Sequence, residues 1–263
     1  MPKEGEINFP NALDEAGRRH AVLKPFSDDG CGRYLRDIGA VMELLPLPPA
    51  RLLDLGAGTA WTSAFFAKRG YAVTAQDISP GMIEMARRNR AVHELKNLEF
   101  LVQDYEQMDF ACEFDCAVFF DSLHHAEDES AALRSAYRAL KSGGVCVTAE
   151  PEQGHAAATS SREFAARYLV TEKDMHPAHI IALAREIGFR RCEVFERHHA
   201  PRLLFSSGSL ELPPTPSRVE LALRYFASGL RCLFAGQRQR DAGALGLIPS
   251  KTFQHNNFVR LKK

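Results

Sequence analysis

The sequence lacks any long apolar run, and none approaches the ~20 residues that a bilayer crossing requires. It also lacks an excess of charge, because 33 lysines and arginines balance 33 aspartates and glutamates. The absence of a strongly basic balance argues against nucleic acid as an obligatory partner. The first twenty residues mix acidic and basic side chains, unlike a secretory or transit peptide, so we expect a cytoplasmic protein without a transmembrane segment.

Cysteine and histidine patterns typical of a metal site are absent as well. Cys112 and Cys116 are four positions apart, but no second Cys or His pair follows at a matching spacing. The histidines at positions 155, 176, 198 and 199 are dispersed among polar residues. The sequence therefore predicts no metal ligand.

From residue 51 onward, strand-like and helix-like segments alternate. The strand-like runs are residues 51–55, 71–77, 98–102, 117–120, 145–149, 191–195 and 257–261. A helix is predicted from about Glu129 to Leu140, closed by residues 141–144, and an earlier helix is predicted to be capped by residues 27–29. This alternation predicts an α/β fold with a doubly wound, mostly parallel sheet.

The chain is predicted to contain four segments. They are an N-terminal helical cap (1–49), an α/β core (50–198), an insertion of helix and loops (199–254) and a final strand of the core (255–263). The insertion is longer than an ordinary connection and contains an amphipathic helix over 219–233, so it is expected to be a substrate lid or an oligomer contact.

A glycine turn follows the first strand, in Asp54-Leu55-Gly56-Ala57-Gly58. Glycine lets the backbone turn tightly and approach a ligand where a Cβ atom would clash. Ala60, two positions later, is expected to tighten the loop slightly. In a doubly wound sheet such a turn is where nucleotide-like cofactors bind.

Carboxylates end the next two strands. Asp77 lies 19 positions after Gly58, where it can accept hydrogen bonds from a ribose diol. Asp104 ends the third strand, where it can receive the exocyclic amino group of adenine. The combination predicts an adenosine-containing cofactor.

These motifs, in this order, resemble those of class I S-adenosylmethionine-dependent methyltransferases. The matching elements are Asp54-x-Gly56-x-Gly58, Asp77-Ile78-Ser79-x-x-Met82, Asp104, Phe114-Asp115, Leu123-His124-His125 and Leu140-Lys141-x-Gly143-Gly144. The resemblance covers roughly residues 50–195. It implies a Rossmann-like sheet of seven strands whose last strand is antiparallel. It also implies S-adenosylmethionine as cofactor, with contacts from Asp54, Gly56, Ala57, Gly58, Asp77, Ile78, Met82, Asp104, Tyr105 and Phe120.

Two other functions stay open. A nicotinamide dehydrogenase would place glycine three positions after Gly58, where this chain has the much larger Trp61. A non-catalytic protein could keep the fold as an S-adenosylmethionine-binding or partner module.

The catalytic candidates follow the fourth and fifth strands and are His125, His124 and Glu150. One of the adjacent histidines is expected to face the acceptor and to serve as base if the acceptor requires one. Equally, the two histidines could pack and cap the next helix. Glu150 could assist a histidine or bind the backbone of the following loop.

The predicted function is transfer of a methyl group to an oxygen or nitrogen of a small molecule. The basic residues from Arg218 onward weakly favour an anionic acceptor. A homodimer through the insertion helix is an alternative role for that segment.

Overall fold

The computed structural model describes residues 2–151, 154–197 and 257–263. The chain divides into two units, one formed by Met1–His199 with His255–Lys263 and the other by Ala200–Gln254. All described residues belong to the first unit. The predicted insertion, its amphipathic helix, its dimer contact and the basic residues between 218 and 251 lie outside the described residues.

Seven strands form one sheet in the order β3-β2-β1-β4-β5-β7-β6. Their bounds are β1 Arg51–Leu55, β2 Ala72–Asp77, β3 Leu98–Val102, β4 Phe114–Phe120, β5 Leu140–Ala149, β6 Arg191–Glu196 and β7 Asn257–Lys262. The first five strands pair in parallel, whereas β7 runs antiparallel to both β5 and β6. The predicted doubly wound fold with an antiparallel last strand is confirmed.

Eight α-helices surround or cover the sheet in the described residues, and two short 3-10 helices, Tyr105–Gln107 and Leu123–His125, follow β3 and β4. The α-helices are α1 Pro2–Ala12, α2 Glu15–Leu23, α3 Cys31–Leu44, α4 Trp61–Arg69, α5 Pro80–Val92, α6 Glu129–Ala139, α7 Thr159–Tyr168 and α8 Pro177–Ile187. One buried cluster joins α3, α4 and α5 to the sheet, and a second joins α6 and α8 to it. In the part of the chain described here, no helix combines the length and the apolar character of a membrane span.

The two N-terminal helices are tied to the core by backbone acceptors. Ser79 Oγ donates to the carbonyl of Ile7 at 2.7 Å, and Thr59 Oγ1 donates to the carbonyl of Ala21 at 2.7 Å. These bonds hold α1 and α2 beside the carboxyl ends of β1 and β2, which is where the cofactor was predicted.

Two local predictions were wrong. The helix expected after the Ser27–Asp29 cap begins at Cys31 with Gly30 as its cap, because Asp28 accepts from the Gly30 N–H in the preceding turn. The fifth strand begins at Leu140 rather than Val145, since Leu140 already pairs with Phe114 on β4. Gly143 and Gly144, which were expected to separate the helix from the strand, lie within β5, where its pairing with β4 is irregular.

Candidate active site

The glycine turn after β1 has two glycines that the geometry requires. Gly56 has φ +68°, and a Cβ added there would lie 2.6 Å from the Cβ atom of Ser122. Gly58 has φ +56°, and a Cβ there would enter open space. The turn therefore presents bare backbone to a space that a ligand can fill.

Asp54, which precedes the turn, is directed into the protein. Its Oδ2 atom accepts from Thr62 Oγ1 at 2.7 Å and from Ser63 Oγ at 2.5 Å, both in the first turn of α4. Burial raises the pKa of Asp54 to about 6, although these two hydroxyl donors oppose the increase. Asp54 thus positions the helix that follows the glycines.

Ala60 shows why the turn tolerates a residue other than glycine at this position. It is fully buried and adopts the left-handed conformation at φ 56°, immediately before α4. The left-handed conformation costs an alanine about 1–2 kcal/mol, and its small side chain adds nothing to that cost.

Asp77 ends β2 beside the glycine turn. Its two carboxylate oxygens accept from the Gly58 N–H and the Ser79 N–H, each at 2.8 Å. Burial raises the pKa of Asp77 to about 6, although these N–H groups oppose the increase. The carboxylate keeps further lone pairs for a ligand hydroxyl.

Asp104 and Tyr105 follow β3, which ends at Val102 rather than at Asp104 as predicted, and Asp104 caps the short 3-10 helix Tyr105–Gln107. Lys3 of α1 bridges Asp104 Oδ2 at 2.6 Å and Glu106 Oε2 at 2.8 Å. Tyr105 donates to the carbonyl of Ser122 at 3.0 Å, and burial raises the pKa of its hydroxyl well above the usual value. The N-terminal helix thus contacts the carboxylate that was predicted to read adenine.

One pocket collects most of the predicted cofactor residues. It is lined by Gly56, Gly58, Asp77, Ile78, Met82, Asp104, Tyr105 and the candidate catalytic residue His125. Its other lining residues are Lys3, Glu6, Phe9, Glu106, Asp121, Ser122, Phe164 and Val170. The pocket is bordered by α1 and α7 as well as by the sheet, and no local sequence signal marks Lys3, Glu6 or Phe9 for this role.

Five predicted residues lie outside this lining: Asp54, Ala57, Phe120, His124 and Glu150. The Ala57 N–H donates to the carbonyl of Gln76 at 2.8 Å, which holds the turn against β2. Phe120 packs its ring at 5.5 Å from that of Trp61 and at 6.5 Å from that of Tyr34.

Glu150 anchors the loop after β4. Its Oε1 atom accepts from the N–H groups of Ser122 at 3.2 Å and Leu123 at 2.9 Å. Its Oε2 atom lies 2.8 Å from His124 Nδ1. Burial alone would raise the pKa of Glu150, but His124 and the backbone donors hold it below its ordinary value. This buried carboxylate therefore fixes both the loop and the His124 ring.

His125 differs from His124 in its surroundings. Its Nδ1 atom lies 2.6 Å from the carbonyl oxygen of Thr171 and 3.4 Å from Glu6 Oε1. Burial lowers its pKa, but Glu6, Glu172 and the Thr171 carbonyl outweigh burial and raise it to about 9. Because Nδ1 is held by these acceptors, Nε2 is the ring nitrogen left for other partners.

The segments on either side of α7 bring a third histidine, His155 before the helix, and another carboxylate, Glu172 after it, to this loop. His155 Nε2 lies 2.5 Å from Glu172 Oε2, and the same oxygen lies 3.6 Å from His124 Nε2. The ring centroids of His124 and His155 are 5.3 Å apart. Neither His155 nor Glu172 was predicted to belong to a site.

Comparison with known proteins agrees with this geometry. The fold is the Rossmann-like fold of methyltransferases, and residues 53–148 match the family model described as "Methyltransferase domain". The α/β core of this chain is thus similar to class I S-adenosylmethionine-dependent methyltransferases.

Individual relatives match over part of their length. The malonyl-[acyl-carrier protein] O-methyltransferase of Serratia marcescens is 36% identical over 147 residues, which are 51% of this chain and 54% of that protein. The ubiquinone biosynthesis O-methyltransferase of Xanthomonas oryzae pv. oryzae is 35% identical over 111 residues, 40% of this chain and 44% of that protein. The chain thus spans about half the length of these curated relatives.

Among solved structures, phosphoethanolamine N-methyltransferase 2 of Haemonchus contortus in complex with S-adenosyl-L-methionine has a TM-score of 0.59 to this chain. The match covers 95% of this chain and 57% of that one at 19% sequence identity. At this identity the likeness concerns the fold.

Proposed function

We propose that this protein transfers the methyl group of S-adenosylmethionine to an oxygen or nitrogen atom of a small molecule. The observation that carries the proposal is the single pocket in which the bare glycine turn, Asp77 and Asp104 meet. In this proposal Asp77 accepts from the ribose hydroxyls, and Asp104 accepts from the adenine amino group. Gly58 leaves open space that a side chain would occupy. These residues fit the cofactor.

The charge of the pocket supports this cofactor over a nicotinamide dinucleotide. The lining contains five carboxylates, against the two cationic side chains Lys3 and His125. The carboxylates are Glu6, Asp77, Asp104, Glu106 and Asp121. S-adenosylmethionine carries a net positive charge at neutral pH, whereas a dinucleotide carries an anionic pyrophosphate that this lining would repel.

We propose that His125 lies at the side of the pocket that binds the methyl acceptor. It lines the pocket, and the backbone carbonyl of Thr171 fixes its ring. His124 and Glu150 act as positioning residues, because Glu150 holds both the His124 ring and the backbone of the loop that carries His125. Since methyl transfer is an in-line displacement, such alignment supplies much of the rate acceleration.

The acceptor class follows from the described wall of the pocket. Its acidic lining favours a neutral or cationic small molecule. The O-methyltransferase relatives make an oxygen acceptor a natural first choice. The anionic acceptor predicted from sequence depends mostly on basic residues outside the described part of the chain. Of those that are described, Arg260 pairs with Glu193 and Lys263 donates to the carbonyls of Tyr137 and Leu140.

Calorimetry with S-adenosylhomocysteine and with NAD, run in parallel on the full chain, tests the cofactor. We expect binding of S-adenosylhomocysteine and no heat with NAD. The reverse pattern would refute the cofactor assignment.

Methyl-labelled S-adenosylmethionine, offered with a panel of phenols, carboxylic acids and amines, then tests transfer. His125→Ala should lose turnover while it keeps affinity for S-adenosylhomocysteine, and the exposed His179→Ala is the matched control. Full turnover in His125→Ala would remove His125 from the acceptor side. Cofactor binding without transfer to any acceptor would favour the non-catalytic module.

A further inference from the structure

The loop after β4 and the segment after α7 together form a cluster of imidazoles and carboxylates. One potential ligand atom from each of His124, His125 and Glu172 lies within 4.8 Å of the other two. His155 Nε2 contacts the same Glu172 carboxylate at 2.5 Å. Three imidazole nitrogens and a carboxylate oxygen make a donor set that first-row transition metals prefer in proteins.

The orientation of each histidine matches that of a metal ligand. His124 directs Nδ1 to Glu150 at 2.8 Å and turns Nε2 toward Glu172 at 3.6 Å. His125 directs Nδ1 to the Thr171 carbonyl at 2.6 Å. Metal-binding histidines usually give one ring nitrogen to a carboxylate or backbone carbonyl in this way and use the other for the metal.

His155 shows the same division on the outer side of the cluster. Its Nδ1 atom lies 3.4 Å from Ser161 Oγ, and its Nε2 atom faces Glu172. The His124 and Glu172 side chains are nearly buried, whereas the His125 and His155 side chains are partly exposed. A cation could therefore enter from the side of His155 and reach a largely enclosed site.

The charge around the cluster favours a cation. Glu6, Glu150 and Glu172 contribute three carboxylates at this point of the fold. Ligand atoms at about 2.0–2.1 Å from a tetrahedral zinc ion lie about 3.3–3.4 Å apart. The ligand atoms of His124, His125 and Glu172, which now lie within 4.8 Å of one another, would therefore need to approach by up to about 1.5 Å.

We propose that His124, His125 and Glu172, with His155 as a fourth ligand, bind a divalent first-row transition metal such as Zn²⁺ at the pocket wall. His125 would then act as a metal ligand that presents the cation to the acceptor end of the pocket. The proposal concerns metal binding and does not depend on the proposed methyl transfer.

The test uses the full chain after dialysis against a chelator, with Zn²⁺ as the probe and no cofactor present. Calorimetry should show one tight site, and Glu172→Gln should weaken it by about 10–100-fold or more. His155→Gln should weaken it as well, whereas the exposed His179→Gln should bind as the wild type does. Circular dichroism of each variant verifies the fold.

Co²⁺ gives a second measurement that reports on the ligands themselves. Its visible absorption should indicate four-coordinate binding in the wild type and should change in Glu172→Gln. No zinc binding, or equal binding in wild type and all cluster variants, would overturn the proposal. Because S-adenosylhomocysteine binding is measured separately, failure of the metal site would leave the cofactor assignment intact.

Discussion

Replacement of Asp77 by asparagine should separate cofactor binding from stability. The carboxylate of Asp77 is buried and accepts from two backbone N–H groups, those of Gly58 and Ser79. Asparagine has nearly the same shape but offers one oxygen, so its amide group would face one of those N–H donors. The substitution therefore removes the charge and one acceptor while it leaves the packing unchanged.

Two terms of similar size act on the stability of the variant. The pKa of Asp77 is raised from 3.8 to about 6, so its ionised form costs about 3 kcal/mol at pH 7 relative to the unfolded chain. The carboxyl group contributes most stability below pH 3.8, and that contribution is lost as the pH rises through about 6. Asparagine avoids this cost but leaves one N–H unpaired, which costs about 1–3 kcal/mol. The free energy of unfolding at pH 7 should therefore change by less than about 2 kcal/mol.

Cofactor binding has no such compensation. A ribose hydroxyl that donates to a carboxylate makes a charge-assisted bond, and its loss should weaken S-adenosylhomocysteine by about 1–3 kcal/mol, or roughly 5- to 150-fold. Calorimetry measures the affinity and thermal denaturation the stability, with Asp109→Asn as an exposed control outside the pocket. A folded Asp77→Asn protein with wild-type affinity would refute the assignment of the ribose carboxylate.

The pH dependence of binding gives the same assignment a second signature. Ribose hydroxyls favour ionised Asp77, so below about pH 6 the carboxyl group must release a proton when the ligand binds. The affinity for S-adenosylhomocysteine should be level above pH 7 and should fall toward tenfold per pH unit below about 6. Glu6 raises and His125 lowers the pKa of Asp77, and the charge of Asp77 in turn raises the pKa of the buried Asp54. Asp77→Asn should remove the dependence.

Three further substitutions test the local geometry by thermal denaturation. Ala60→Gly relieves about 1–2 kcal/mol of strain from the left-handed conformation. It also removes a buried methyl group worth about 0.8 kcal/mol and raises the conformational entropy of the unfolded chain. Because these effects oppose each other, the free energy of unfolding should change by less than about 1 kcal/mol. A loss above this value would show that packing of the methyl group dominates. Gly56→Ala should destabilise by more than about 2 kcal/mol, because its Cβ would lie 2.6 Å from that of Ser122 at a positive φ. Glu150→Gln should cost about 2–4 kcal/mol, because an amide nitrogen in place of Oε2 cannot accept from the backbone N–H and the ring of His124, and a neutral result would contradict its anchoring role.

The meeting of the proposed cofactor residues in one pocket was largely predictable from sequence. Gly58, Asp77 and Asp104 follow three consecutive strands of the chain, and parallel strands bring their carboxyl ends to one edge of the sheet. The alternation of strands and helices was therefore enough to place these residues together. The antiparallel last strand was implied by the resemblance to methyltransferases rather than by this alternation, and it is confirmed.

The acceptor side was less predictable, because it depends on packing between distant segments. Glu172 meets His124 across 48 positions of sequence, and Lys3 meets Asp104 across 101. Neither Lys3 nor Glu172 lies in a motif or at the end of a strand. The position of α1 over the pocket follows from bonds such as that of Ser79 to the carbonyl of Ile7, and no local pattern predicts such a bond.

The location of the carboxylates bears on how a methyl donor can be held without loss of reactivity. Positive charge on the sulfonium dissipates during transfer, so a carboxylate beside it would stabilise the reactant more than the transition state and would slow the reaction. Asp77 and Asp104 are assigned to the ribose and the adenine, whose charge does not change. Asp54, the acid nearest the glycine turn in sequence, is instead bonded to Thr62 and Ser63 inside the protein. In the proposed arrangement the cofactor would be bound through its unreactive parts, and the reacting sulfur would be aligned by the glycine backbone and the loop that carries His125.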